Sequence, residues 1–194
     1  MCGRLILDKD IDIVEKRFLA GVQGKHAWIP SYNVAPSQTL PIVTRPGIIE
    51  VLSWGYKPKW ADKDVINARI EGLHEKPYFR DAKRCLVPTT GFYEWKNDGD
   101  KKIPHFIHFP DSHLFAFAGV YNSDGFAIIT ESADKRMEHI HHRMPAILRE
   151  TAEKDWLQGH ELKTDKSDLE LYPISTLVNN PKNNSPQLTQ RLYI

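Results

Sequence analysis

Proline and short β-branched runs set the terms on which this chain can fold. Pro30, Pro36, Pro41, Pro46 and Pro58 punctuate its middle. A residue that fixes φ and has no N–H donor keeps that stretch from being one long helix. The apolar runs around it are short: Leu40–Thr44, Ile49–Trp54, Cys85–Val87, Phe92–Lys96, Pro104–Phe109, Leu114–Tyr121 and Phe126–Thr130, all read as strands. Asn97-Asp98-Gly99-Asp100 between two of them is a hairpin-turn signal. Helical periodicity is confined to small pieces. Asp10 to Leu19 puts Ile11, Val14, Phe18 and Leu19 on one side. Ser132 to His139 reads as a short helix capped by Ser132, and Thr151 to Leu157 as a helix capped by Thr151. Asn179–Pro186, polar and interrupted by proline, reads as a surface loop. The pattern is α+β: one domain over residues 1–194, with a mainly antiparallel, barrel-like sheet core and peripheral helices.

Composition narrows the function classes. The 194 residues suffice for a sizeable core. Lys and Arg number 26 against 25 Asp and Glu, a formal net charge of +1. No global basic field demands nucleic acid, so such a partner would need a local basic cleft. The two cysteines, Cys2 and Cys85, make neither a disulfide framework nor a zinc ribbon. A free Cys2 fits a reducing cytoplasm. Neither a signal peptide nor a stretch of transmembrane length is visible, and no membrane partner is expected.

The chain begins Met1-Cys2-Gly3-Arg4. Loss of Met1 would leave a cysteine with a free α-amine, a 1,2-aminothiol whose amine and thiol can reach the same carbon. An aldehyde can form a Schiff base with the amine, and the thiol can then close a thiazolidine. The α-amine titrates near ~7.7–8.0 against ~10.4 for lysine, so at neutral pH it is the better nucleophile. Arg4 is a candidate neighbour for lowering the thiol. Taken alone, a cysteine at position two is most simply incidental.

Four further segments look over-specified for packing: Tyr32–Pro36, Trp54–Arg69, Arg84–Trp95 and Ile140–Pro145. Glu94 sits among Phe92, Tyr93 and Trp95. A carboxyl pressed among aromatics loses hydration, its pKa rises, and it suits proton transfer near neutrality; the plain alternative is a solvated glutamate on an edge strand. His139, His141 and His142 form a cluster that suits proton transfer beside Arg143, or surface histidines at a junction, or, most weakly, a metal. Asn67-Ala68-Arg69 offers an amide and a guanidinium for sugar and phosphate, or simply a turn. Trp54, Tyr56 and Trp60 interleave with Lys57 and Lys59, as residues that stack bases and track a phosphate backbone do. Trp54 reads equally as core, and Cys85 reads as a buried strand residue.

In order, MCGR, YNVAP (Tyr32–Pro36), WG with Trp60 and INAR (Trp54–Arg69), RCLVP with GFYEW (Arg84–Trp95) and IHHRMP (Ile140–Pro145) resemble the SRAP (SOS response-associated peptidase) family, proteins that shield abasic sites in single-stranded DNA. Tyr172-Pro173-Ile174-Ser175 is similar to the family's C-terminal strand. The resemblance implies a SRAP-like fold, self-removal of Met1, and a thiazolidine DNA–protein crosslink through Cys2. It implies Cys2, Asn67, Glu94 and His141 as the catalytic set. Arg4, Asn33, Pro36, Trp60, Arg69 and Arg143 are implied as DNA contacts. It also implies single-stranded DNA with abasic sites as the partner, lyase-type chemistry, no cofactor, a monomer, and a cytoplasmic protein that joins the nucleoid when bound. Two positions depart from the family pattern: Gly72 follows Asn67-Ala68-Arg69-Ile70-Glu71, where threonine is common, and His142 stands where aspartate is common. Two other classes stay open, a cysteine peptidase acting on other proteins and a non-catalytic single-strand binder.

Overall fold

The computed structural model describes residues 2–24 and 28–193. In chain order the elements are β1 (Leu5–Leu7), α1 (Ile11–Phe18), β2 (Gly21–Val22), β3 (Ser31–Val34), β4 (Thr39–Arg45), β5 (Ile48–Ser53), β6 (Asn67–Arg69), β7 (Lys83–Thr89), β8 (Gly91–Asp98), β9 (Lys101–His108), β10 (Phe115–Tyr121), β11 (Phe126–Ser132), β12 (Arg143–Pro145), α2 (Glu153–Leu157) and β13 (Glu170–Pro173). Single 3-10 turns occupy Pro77–Phe79, Glu150–Ala152, Thr176–Asn179 and Pro186–Thr189. One sheet runs β13-β9-β8-β1-β3. The other runs β12-β11-β10-β7-β4-β5-β2, with β6 laid parallel on β11. The α+β, mainly antiparallel core expected from the sequence is thus what forms. Its two sheets stay open instead of closing into a barrel.

Alternation along β1 shows how the sheets share their cores. Leu5 and Leu7 point into the main core with Phe92 and Ile107 of the same sheet and Ile42, Val87, Phe117 and Ile128 of the other. Ile6 points the opposite way, into a smaller cluster with Tyr93, Phe106, Ile174, Val178 and Leu188. The first sheet is therefore apolar on both faces, and the C-terminal 3-10 turns cover the second face.

Pro41, which the rule for strand prolines would place at an edge, lies inside β4. Trp54 N–H donates to the Gln38 carbonyl, so even positions of β4 turn their main chain to β5. The missing donor of Pro41 then faces β7, where Val43↔Leu86 is the registered pair. The 97–100 turn signal gives the β8–β9 hairpin, with Asp98 opposite Lys101. Gly99 takes φ 59, the left-handed value a two-residue hairpin loop asks of its first position.

Three local expectations need correction. Residues 135–140 form turns, and Ser132 ends β11. The Asp134 carboxylate accepts from Arg136 N–H at 3.0 Å and Met137 N–H at 2.9 Å, so the capping starts at Asp134. Thr151 caps nothing: it lies within a 3-10 turn that leads into α2. Leu19, assigned to the apolar side of α1, ends that helix at φ 48 and stands in solvent.

Candidate active site

The first residues of the chain lie at the seam of the two sheets. β1 pairs antiparallel with β8 through Leu5↔Phe92 and Ile6↔Gly91, and Tyr93 N–H donates to the Arg4 carbonyl. This ladder carries Cys2 to the level of Glu94. From the other sheet, β6 runs parallel to β11 with Asn67 opposite Ile128, which brings the Asn67 amide to the same place. Asn67 Nδ2 donates to the Cys2 carbonyl at 2.8 Å. Its Oδ1 is buried with no protein partner among the described residues.

Cys2 is fully buried, and Sγ lies 3.8 Å from the Arg4 carbonyl. Burial first, and the nearby Glu94 charge second, push its thiol far above the ordinary range. The resting sulfur is the neutral thiol, contrary to the lowering by Arg4 that the sequence suggested. Glu94 is 3% exposed, and burial raises its carboxyl pKa, as expected for a group on the Phe92 face of β8. His141 is half-buried, and burial holds its imidazole below the usual histidine value. Its Nδ1 lies 3.0 Å from the Arg143 N–H and 3.1 Å from the Arg143 carbonyl, so the Arg143 main chain occupies this nitrogen in either tautomer. His142 is exposed and stacks on His141 with ring centroids 4.5 Å apart. Among the described residues, no group of three or more His, Cys, Asp or Glu could hold a metal ion.

Arg4, Glu94 and His141 line one cleft of about 510 Å³, together with Trp95, Asn97, Lys102 and Asn179. These last four were missed by sequence reasoning. The hairpin register would have paired Lys102 with Asn97, as observed; no local signal points to Asn179.

The six expected DNA contacts divide. Arg4 lines the cleft, its Nη1 donating to Asn33 Oδ1 at 2.7 Å and to the Val178 carbonyl at 2.6 Å. Asn33 is buried, and its Nδ2 donates to the carbonyls of Asn180 at 3.0 Å and Asn183 at 2.9 Å. The polar C-terminal segment read as a plain surface loop is therefore tied to the site from below. Arg143 is also buried, at 7% exposure. It grips Glu71 with two bonds of 2.8 Å and donates to the Thr130 carbonyl at 2.6 Å. The side chains of Asn33 and Arg143 are thus bonded within the protein. Trp60 is 65% exposed and lies edge-on to Tyr78 at 5.2 Å, while the Tyr78 hydroxyl donates to the Lys63 carbonyl and pins the loop. Arg69 is exposed and Pro36 half-buried in the β3–β4 turn. Trp54 and Cys85 are core residues, as read.

Fold and site together describe an α+β protein of two open sheets whose buried second residue lies beside Asn67 and Glu94, with Glu94 and His141 lining a polar cleft. The chain belongs to the SRAP family: the model "SOS response associated peptidase (SRAP)" matches residues 1–181. It is 40% identical to the abasic site processing protein YoqW of Bacillus subtilis (strain 168), over 98% of this chain and 99% of that one. To the abasic site processing protein YedK of Escherichia coli (strain K12) it is 29% identical over 84% of this chain and 85% of that one. It is similar in structure to a protein from Bacteroides thetaiotaomicron, with a TM-score of 0.85 and 28% identity, covering 99% of this chain and 100% of the other.

Proposed function

We propose that this chain processes abasic sites in single-stranded DNA by forming a thiazolidine crosslink through Cys2 once Met1 has been removed. The observation that carries this reading is that Asn67 and Glu94 both reach the buried Cys2, while Glu94 lines one cleft with His141. The names of its relatives supply the substrate class. Hydrolysis of the Met1–Cys2 amide frees the α-amine. The amine attacks the aldehyde carbon of the ring-opened sugar, and water leaves to give an imine. The thiol then adds across C=N, its proton passing to nitrogen, and the ring closes with one water lost overall.

The site suits these proton movements. The thiol is neutral at rest, so ring closure needs a group that carries its proton, and the raised pKa of Glu94 suits that group to both take and return one. Asn67 holds the Cys2 carbonyl and so fixes where the amine lies. His141, neutral near pH 7 and anchored through Nδ1, acts through Nε2 at the sugar oxygen as the ring opens. The exposed Trp60, beside Lys57 and Lys59, offers an unpaired base a face to stack on and so favours single strands. The protein acts as a monomer.

The test mixes protein lacking Met1 with an oligonucleotide carrying one abasic site, followed by a denaturing gel. A heat-stable shifted band is expected, lost in Cys2→Ala and slowed in Glu94→Gln. Absence of the band with the intact Cys2 protein sinks the proposal. Turnover of peptides by the same preparation would favour the peptidase class instead.

A further inference from the structure

The end of the cleft away from Glu94 and His141 is unused by this chemistry, and its construction differs from the rest of the molecule. β8 and β9 outrun their neighbours. The β1 ladder on β8 ends at the Tyr93–Arg4 bond, and the pairing of β13 with β9 ends at the bond from the Ile174 N–H to the Pro104 carbonyl. From Lys96↔Ile103 to Asp98↔Lys101 the hairpin is a two-stranded arm with no further strand on either edge among the described residues.

Alternation sorts its side chains. Glu94, Lys96 and Asp98 share one face; Trp95 and Asn97, with Lys102 opposite Asn97, share the other. Because Tyr93 turns its N–H to β1, Asn97 turns its own N–H to the same, now open, edge. The Lys102 and Asn97 side chains therefore stand side by side on one face, lining the same cleft as Arg4 and Asn179, and the Asn97 N–H opens at the adjacent strand edge. The acidic member of the lining, Glu94, is buried at the other end. The lining thus sets two cations, Arg4 and Lys102, against that one carboxyl. Amide, main-chain N–H and ammonium donors around one point are the set that phosphate oxygens accept from.

We propose that Lys102 and Asn97 form a phosphate subsite for a phosphodiester of the strand flanking the reacting nucleotide. The inference rests on the function proposed above and names the path the strand takes from the reacting sugar: over the open edge of β8 and along the hairpin arm. Trp95 forms the floor of that path, held by its Nε1 bond to Asn179 Oδ1 at 2.8 Å and by the Arg4 guanidinium 5.8 Å from its ring.

The test uses the full chain and undamaged single-stranded DNA, with which no adduct forms. Binding is followed by anisotropy across a salt series for the unaltered protein, Lys102→Ala, Lys102→Glu and Asn97→Ala. Lys102 and Asn97 are exposed, so the variants are expected to melt like the parent. Loss of one phosphate contact lowers the magnitude of the log–log salt slope by about 0.7 for a single strand. Lys102→Ala is expected to show that drop, Lys102→Glu a larger loss of affinity, and Asn97→Ala weaker binding with the slope kept. An unchanged slope and affinity in both Lys102 variants overturns the subsite. A second arm compares adduct rates on abasic oligonucleotides trimmed to end at the damaged nucleotide on its 5′ or its 3′ side. Parent and Lys102→Ala should converge on the one substrate that lacks the served phosphate; equal rate ratios on all substrates overturn the subsite. If the parent forms no adduct while Lys102→Ala still lowers the salt slope, the subsite stands and the crosslinking function fails.

Discussion

At the scale of single residues, burial sets the protonation of the site. Glu94 has its pKa raised above 4.5 by desolvation, so the folded state holds a proton that the unfolded state releases at lower pH. Its ionisation therefore costs stability, beginning as pH rises past the unfolded value and complete above the folded one. Glu94→Gln cannot ionise. Thermal melts at pH 5 and pH 8 should show the parent losing more melting temperature between the two than the variant does. Glu71 has the opposite sign. Its bonds to Arg143 hold its carboxyl below 4.5, so the pairing stabilises the fold above that pH and is lost as pH falls through the lowered value. Acid melts below about pH 4.5 should therefore be shallower in Glu71→Gln than in the parent. The sign for Glu94 was expected from its aromatic neighbours, but that for Glu71 could not be read from the sequence, because Glu71 and Arg143 lie far apart in the chain and meet through the β6–β11 and β11–β12 pairings.

At the scale of elements, two small devices shape the cleft. Gly99 holds the hairpin loop at φ 59, and a Cβ there would meet nothing within 4 Å. Gly99→Ala should thus cost about 1 kcal/mol through backbone strain alone, read as a lower denaturant midpoint at unchanged slope. Asn33 bonds the segment after Val178 to β3. Asn33→Ala strands buried carbonyls and should cost about 1–3 kcal/mol. It should also raise hydrogen exchange in residues 178–184, whereas a side chain that only touched DNA would leave exchange unchanged. The strands were legible because runs such as Leu114–Tyr121 are short, continuously apolar and bounded by turn residues. The Ser132–His139 piece was misread and the start of the Thr151–Leu157 helix misplaced, because Ser132 and Thr151 are capping residue types in segments whose hydrogen bonds are decided elsewhere, by Asp134 and by the 3-10 turn that leads into α2. Of the site, Cys2, Glu94 and His141 were legible through their segments. The cleft's Lys102 and Asn179 were not, since register and chain return bring them there.

For the molecule as a whole, the second face of the first sheet depends on the C-terminal turns. Val178 and Leu188 are fully buried against Ile6, Tyr93 and Phe106. At about 1.5–3 kcal/mol for each buried aliphatic side chain, removing residues 176–193 should lower unfolding free energy by roughly 3–6 kcal/mol in a urea titration. It would also strip the Val178 carbonyl from Arg4. The same sheet governs how a crosslinked molecule would bear load. Cys2 stands at the outer end of β1, and β1 lies between β8 and β3 with antiparallel partners on both sides. A DNA strand joined to Cys2 and put under tension pulls along the axis of β1. Force in that direction loads the hydrogen bonds of both ladders in shear, together, and drags the buried Leu5, Ile6 and Leu7 from two cores at once. The attachment is in that sense a mechanical anchor: its weakest link under load is set by a central strand rather than by a frayed end.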